Sequence, residues 1–449
     1  MTSTIGKTGE PPAVRRFRDH TPAYAPGELL RWLHRRRGPL AKIGMGTAGY
    51  TYLLGPEANR FVFANSDRFR WRDAFDWLVP VDGETSMLLS DGDEHRRRRR
   101  LVQPAMNHRQ IAGYVDTMTG NADLAIDSWR PGERINIYRD MRAAIRRSTL
   151  QALFGPRLAA DAAFFGDQLQ VLLDLCDGLP QTVALKRKLS TPEWRKAMAA
   201  RARVDERIYA EIEHVRAAGP GTEQTVLASL VHGTDDEGNR LSDVEIRDQT
   251  VTLIVAGYET TSAVLGWAVY ALLSTPGVWA KAKAEVSEVL GDRAPTAADL
   301  KNLRYLTSVV HETLRLYPAV VVVGRRANED IEFDGSMIRE GSMVIISPYV
   351  THRMPELWRE PTRFRPERWD PSDPDYRKPT PHEFLPFGSG PHRCIGSSMA
   401  STELTVMLAR LLARTTLSLP SQRIRPASMI SLRPASGLLV DVVAAGPDA

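Results

Sequence analysis

Cys394 stands in the run Phe387-Gly388-Ser389-Gly390-Pro391-His392-Arg393-Cys394-Ile395-Gly396. Glycines allow positive φ and close backbone approach, so a flat group could lie against such a turn. The apolar spacing from Ser398 through Leu412 predicts a helix immediately afterwards. That places Cys394 near a helix N-terminus, where unpaired N–H groups and the helix dipole favour a thiolate. The residues alone leave several readings open. A buried inert thiol is one. A nucleophile with His392 or His382 as base is another, and a zinc ligand short of partners is a third. An axial thiolate to a haem iron, which needs one cysteine in a tight shielding loop, is the fourth.

Three further constellations carry chemistry. Ala256-Gly257-Tyr258-Glu259-Thr260-Thr261 puts a glycine, a carboxylate and hydroxyls on adjacent turns of an apolar helical pattern. A mid-helix glycine costs about 1 kcal/mol against alanine, and threonine hydroxyls bond back to the preceding turn. The result is a polar groove in an apolar wall, or a plain buried helix whose Glu259 reaches solvent. Glu312 and Arg315 lie three apart on one helix face, which on a surface contributes only about 0.2–0.5 kcal/mol. His95 through Arg100 form a basic run, with His95 and Arg99 on one helical face. Without interleaved aromatics or a known motif, this run does not read as a nucleic-acid patch.

These side chains need a large helical body to hold them. The chain has 449 residues, is 43% hydrophobic and 25% charged, and carries a net +5. Periodic apolar positions predict helices from Ile111 to Trp129 and from Ala197 to His214, and one long helix from Val244 to Ser274 stopped by Pro276. Glu259 and its hydroxyl neighbours mark that long segment as a buried core helix rather than a membrane span. Strand-like runs cluster at Lys42–Phe63 and Val320–Ile346, and prolines and glycines keep Thr362–Cys394 irregular. The fold class expected is mainly α with a small β region. Cys176 and Cys394 are the only cysteines and sit in unlike contexts, which implies no disulfide framework, a reducing compartment and a cytoplasmic protein. No signal peptide or membrane anchor is read, and residues 1–22 are expected to be a disordered tail before one domain over 23–449.

The cysteine run resembles the haem-binding signature of the cytochrome P-450 superfamily, matched at Phe387, Gly390, Cys394 and Gly396. The other runs resemble further signatures of that superfamily in the expected order. The resemblance implies a single-domain fold with haem b between a long central helix and the helix of the cysteine loop, the iron bound by Cys394. Ala256 and Gly257 would then leave room for dioxygen, and Glu259 and Thr260 would be the catalytic acid–alcohol pair that delivers protons to it. Glu312, Arg315 and Arg368, the last from Phe364-Arg365-Pro366-Glu367-Arg368-Trp369, would form a buried structural triad. His95, Arg99, Arg325 and His392 match propionate positions, with Arg326 a rival to Arg325. Arg96, Arg97 and Arg100 would face outward to dock an acidic electron donor. Trp71, Phe75, Trp77 and the run Val320, Val321, Val322, Val323 would line the substrate pocket. The expected activity is insertion of one oxygen atom from dioxygen into a hydrophobic small molecule of polyketide, terpenoid or lipid type. Electrons would come from a ferredoxin and a ferredoxin reductase, without nucleic acid or membrane anchor. A thiolate-haem peroxygenase, isomerase or non-catalytic haem sensor is the alternative.

Overall fold

The longest helix is also the best defined by its sequence. The Ser242 side chain accepts from the Glu245 N–H while the Glu245 carboxylate takes the Ser242 N–H, so two N-terminal donors are satisfied reciprocally. Pro276 follows its end at Ser274. The computed structural model describes residues 22–44, 49–222, 225–235, 238–428 and 430–446. All but the last residue of the expected tail lies outside the described residues.

The principal helices are α1 (Ala25–Arg37), α2 (Pro56–Ala64), α3 (Gly92–Val102), α4 (Val115–Ile126), α5 (Ile137–Phe154), α6 (Ala162–Cys176), α7 (Pro180–Lys188), α8 (Pro192–Ala218), α9 (Asp243–Ser274), α10 (Val278–Leu290), α11 (Arg304–Leu316) and α12 (Ser397–Arg414). Helix α9 runs through the middle, packed on α5, α8, α11 and α12. It is apolar on nearly all faces because nearly all faces are covered. Trp267 anchors it, stacking on Tyr317 at 4.6 Å and donating Nε1–H to the Leu432 carbonyl at 2.9 Å. Full burial of each Leu, Val or Phe in this core stabilises the fold by roughly 1.5–3 kcal/mol.

Among the described residues the β structure forms two small sheets and two two-stranded ribbons, Ile331–Phe333 with Ser336–Ile338 and Pro426–Ala427 with Arg433–Pro434. The first holds β1 (Leu40–Ile43), β2 (Tyr50–Leu53), β3 (Phe69–Arg70), β5 (Val323–Ala327) and β6 (Met343–Ile346), in the order β1-β2-β6-β5-β3. Only β2 and β6 run parallel. The second holds β4 (Arg134–Asn136), β7 (Thr415–Ser418) and β8 (Leu439–Ala445), with β8 central. One expectation needs correction here. The run Lys42–Phe63 was expected as strands, but its second half is helix α2. Gly55 at φ 105 turns the chain, Pro56 takes the first helical position and Glu57 the first turn.

Candidate active site

The cysteine loop is a tight turn closed on itself. The Cys394 N–H donates to the Phe387 carbonyl at 2.9 Å. Gly388 and Gly390 sit at φ 66 and 71, the left-handed region that disfavours any side chain, and Gly390 lies against Phe63 of α2. Cys394 stands three residues before α12 and is solvent-accessible. Surrounding protein nonetheless desolvates the thiol and raises its pKa, while the Gly396 N–H and the Arg99 and Arg393 cations pull it back down. Cys176 is the opposite case. It is buried, it donates to the Trp77 carbonyl at 3.5 Å, and burial pushes its thiol up to about 12. Among the described residues no hydrogen bond joins His382 or His392 to the Cys394 thiol. His382 stacks with Phe63, and His392 is engaged elsewhere.

Helix α9 interrupts its own burial at one place. Val255, Tyr258, Glu259 and Thr261 are buried, whereas Ala256 is exposed and Gly257 and Thr260 partly so. The Thr260 hydroxyl donates to the Ala256 carbonyl at 2.8 Å. Gly257 has a packing reason beyond leaving room, since a Cβ there would stand 2.8 Å from Thr149 Cγ2 on α5. Glu259 does not reach solvent. It is buried and ion-paired with Arg142 of α5, whose guanidinium also lies over the Tyr258 ring at 5.1 Å. Arg142 was missed in the sequence because it stands in an ordinary amphipathic helix pattern with no motif around it.

Around His392 the structure gathers a donor-rich cluster. His392 stacks face to face on Trp71 at 4.4 Å, tilts against His95 at 4.1 Å, and its Nε2 lies 3.5 Å from the Asp91 carboxylate. Asp91 also accepts the backbone N–H groups of Trp71 and Arg72 at 2.9–3.1 Å. Burial acts to raise its carboxyl, but these hydrogen bonds win and hold it below the usual range. Arg325 lies 3.7 Å over the Trp71 ring and is buried; desolvation lowers it to about 9, with Asp91 opposing. Arg99 is lowered by burial too, with Cys394 acting the other way. His95 is pushed down to about 4 by burial and by the nearby charges of His392 and Arg99.

This cluster tests whether the residues fit the expected cofactor. Neither Arg99 nor Arg325 has a carboxylate ion partner among the described residues, and the Trp71 Nε1–H is buried without an acceptor. Two desolvated cations, two imidazoles and an orphaned indole donor around one aspartate are short of anions. The carboxylates of a haem supply them, so the fit is good. Strand alternation turns the two rival arginines to opposite faces. Arg325 points into the cluster, while Arg326 on the other face pairs with Asp73 and donates to the Gly341 carbonyl at 2.7 Å.

Other expected residues are placed differently. Trp71 is part of the polar cluster and stacks on Phe75 at 4.6 Å, rather than standing in an apolar wall. Phe75 and Trp77 are half-buried against the main core. Val321 is buried, Val320 and Val323 partly so, and Val322 exposed. The outward basic face needs correction at Arg97. Its guanidinium bonds Asp235 at 2.8 Å and Glu245 at 3.1 Å, tying α3 to the start of α9. The neighbouring Arg98 is buried and pairs with Glu94 and Glu245.

The expected triad is assembled and larger than foreseen. Glu312 receives Arg315 at 2.8 and 2.9 Å, Arg368 at 2.9 Å, the Trp369 indole at 3.0 Å and the Arg365 N–H at 2.9 Å. Burial raises its carboxyl, yet Arg315 and Arg368 outweigh burial and leave it lowered. Arg315 also donates to the carbonyls of His352 and Pro361 at 2.7 Å. His352, kept neutral by burial, accepts the Leu385 N–H at 3.0 Å, two residues before the cysteine loop begins.

Comparison with known proteins agrees with this geometry. The family model described as Cytochrome P450 matches residues 20–440. Cytochrome P450 139, a provisionally named protein of Mycobacterium tuberculosis (strain ATCC 25618 / H37Rv), is 55% identical over 94% of this chain and 99% of its own length. Cyclooctatin synthase of Streptomyces melanosporofaciens is 34% identical over 95% of this chain and 96% of its own. Cyclooctat-9-en-7-ol 5-monooxygenase of the same organism is 33% identical over 84% and 82%. Among solved structures, a retinoic acid-bound cyanobacterial CYP120A1 superposes with TM-score 0.83 at 25% identity, covering 93% of this chain and 94% of that one. A thiol on a glycine turn, a groove in the central helix, a buried Glu–Arg cluster and matches along nearly the whole chain lead to one statement: the chain belongs to the cytochrome P450 family, as a monooxygenase whose cofactor is haem held by a cysteine thiolate.

Proposed function

We propose that Cys394 is the thiolate ligand and that the enzyme inserts one oxygen atom from dioxygen into a hydrophobic small molecule of terpenoid, polyketide or lipid type. The observations that carry this reading are an accessible Cys394 and the break in burial midway along α9 at Ala256, Gly257 and Thr260. Haem bound through a thiolate supplies the O–O cleavage chemistry. The chain's own residues do the rest. Arg99, Arg325, His95, His392 and the Trp71 indole would hold the propionates. The Thr260 hydroxyl holds a proton at Oγ1 on the open side of α9, and Glu259, one residue away, passes protons toward it when its ion pair with Arg142 opens. The exposed Ala256 keeps the neighbouring turn small. The hydrophobic substrate class is supported by the relative named for cyclooctat-9-en-7-ol and by the retinoic acid in the structural neighbour.

Electrons would arrive in the cytoplasm from a ferredoxin and its reductase, with the exposed Arg393 beside Cys394 offering a cation to an acidic donor. Two measurements test the proposal. Cys394→Ser should abolish the red-shifted Soret band of the reduced carbon-monoxide complex, and a normal band in that variant would remove Cys394 from the iron. A library of terpenoids, polyketides and lipids screened for the low-to-high-spin shift should give hits among large apolar compounds. Hits confined to small polar ones would overturn the substrate class.

A further inference from the structure

One turn before Ala256, on the same face of α9, stands Thr252. Beside it lies Asp82, the last residue of the helical turn Val79–Asp82. Asp82 is 3% exposed and Thr252 is 4% exposed. The segment that carries Asp82 is fastened from two sides. Asp248 of α9 accepts the Thr85 N–H at 2.9 Å and the Thr85 hydroxyl at 2.7 Å. Gln249 accepts the Met87 N–H at 2.6 Å and donates to the Thr85 carbonyl at 2.7 Å. Arg201 of α8 donates to the Val79 carbonyl at 3.1 Å.

All of these bonds leave the Asp82 carboxyl itself unused. Among the described residues no N–H donates to it, and nearby Arg247 is engaged by Asp205 and Asp248. The Thr252 hydroxyl is buried and has no partner other than Asp82. Burial pushes the Asp82 carboxyl up to about 7 from an ordinary 3.8; Thr252 and Arg247 oppose the rise, and Asp248 adds to it. A carboxyl so costly to ionise, set beside a single hydroxyl, is a donor–acceptor pair short of a third member.

The surroundings define that member. Arg247 and Arg201 disfavour a ligand cation here, and Asp82 with Asp248 disfavours an anion. A neutral hydroxyl suits both partners, because it donates to the carboxyl while accepting from Thr252. At 1.5 Å per residue, Thr252 stands about 6 Å along α9 from Ala256 and about 12 Å from Thr260. An apolar molecule filling the open stretch therefore reaches the pair with its far end.

We propose that Asp82 and Thr252 are specificity-determining residues that bind a hydroxyl already present on the apolar substrate, directing oxygen insertion to carbon remote from that hydroxyl. The inference rests on the proposed oxidation of a hydrophobic compound and narrows its substrates to alcohols. A reaction that installs a hydroxyl must precede this one.

The test titrates the haem-loaded full chain with farnesol and geranylgeraniol, each against the hydrocarbon lacking its hydroxyl, reading Kd from the low-to-high-spin shift. The same pairing is applied to every hydroxyl-bearing hit of the compound library. The parent should bind the alcohols about tenfold tighter, or more, than their deoxy partners. Thr252→Val and Asp82→Leu should remove most of that preference while leaving the hydrocarbon Kd nearly unchanged. Asp82→Asn keeps a donor and an acceptor, so it should retain the preference even if leucine unsettles the fold. A purely structural Asp82 would weaken both ligands alike, and such an equal loss would overturn the proposal. So would a parent that does not separate the pairs, or apolar library hits that bear no hydroxyl, either of which leaves the hydrophobic substrate class standing. Hits confined to small polar compounds would overturn that class and this inference together.

Discussion

Cys176 and Cys394 show how placement decides what a thiol can do. One is enclosed and held un-ionised by desolvation; the other lies open at a helix start with Arg99 and Arg393 beside it. Glu259 and Thr260 are likewise adjacent in sequence but separated by orientation. The acid is turned into the α5 interface and held by Arg142, and the alcohol is turned toward the open side. This division of labour predicts a specific failure. Thr260→Ala should leave reductant consumption near the parent rate while diverting it to hydrogen peroxide, read as the ratio of product to reductant. Unchanged coupling would remove Thr260 from the proton path.

Between elements, the α5–α9 interface is the most closely fitted. Thr149 Cγ2 occupies the space a side chain at position 257 would need. Gly257→Ala should therefore destabilise the fold by about 1–3 kcal/mol through overpacking, measured by denaturant unfolding. Thr149→Ser, which removes only Cγ2, should recover most of the loss in the double variant. The α12 helix carries a pH-sensitive element of its own. Glu403 is buried there, and desolvation raises its carboxyl to about 8 from an ordinary 4.5. The raised folded value means that its contribution to stability is complete below pH 4.5 and is lost as pH rises to 8. The parent Tm should fall across that window, and Glu403→Gln should flatten the fall. A variant with the parent's slope would show that Glu403 is ionised in the folded state.

Across the whole molecule, a relay of buried hydrogen bonds joins α11 to the cysteine loop. Glu312 holds Arg315, Arg315 holds the His352 carbonyl, and the His352 imidazole holds the Leu385 N–H. Removing one member leaves buried charges without partners, which typically costs about 3–5 kcal/mol. Glu312→Ala should consequently purify with little or no haem, measured as the Soret-to-protein absorbance ratio. A variant with full haem content would show that the cluster is dispensable for shaping the loop.

How much of this was legible beforehand depended on the range of the interaction. Helix α9 was readable because its periodicity and Pro276 are local. The cysteine turn was readable because its glycines answer a local backbone demand, and Glu312 with Arg315 because three residues bring them onto one face. What lay beyond reach involves groups far apart in the chain. Arg142 meets Glu259 across 117 positions, Trp71 stacks on His392 rather than in an apolar wall, and Arg97 is spent on Asp235 and Glu245 instead of facing a partner. Local conformations and the types of donor and acceptor on hand follow from near neighbours in the chain, because backbone sterics and helical spacing act over a few residues. Which donor meets which acceptor, and which face is left open, was decided only by tertiary packing, since burial and pairing depend on what the fold brings alongside.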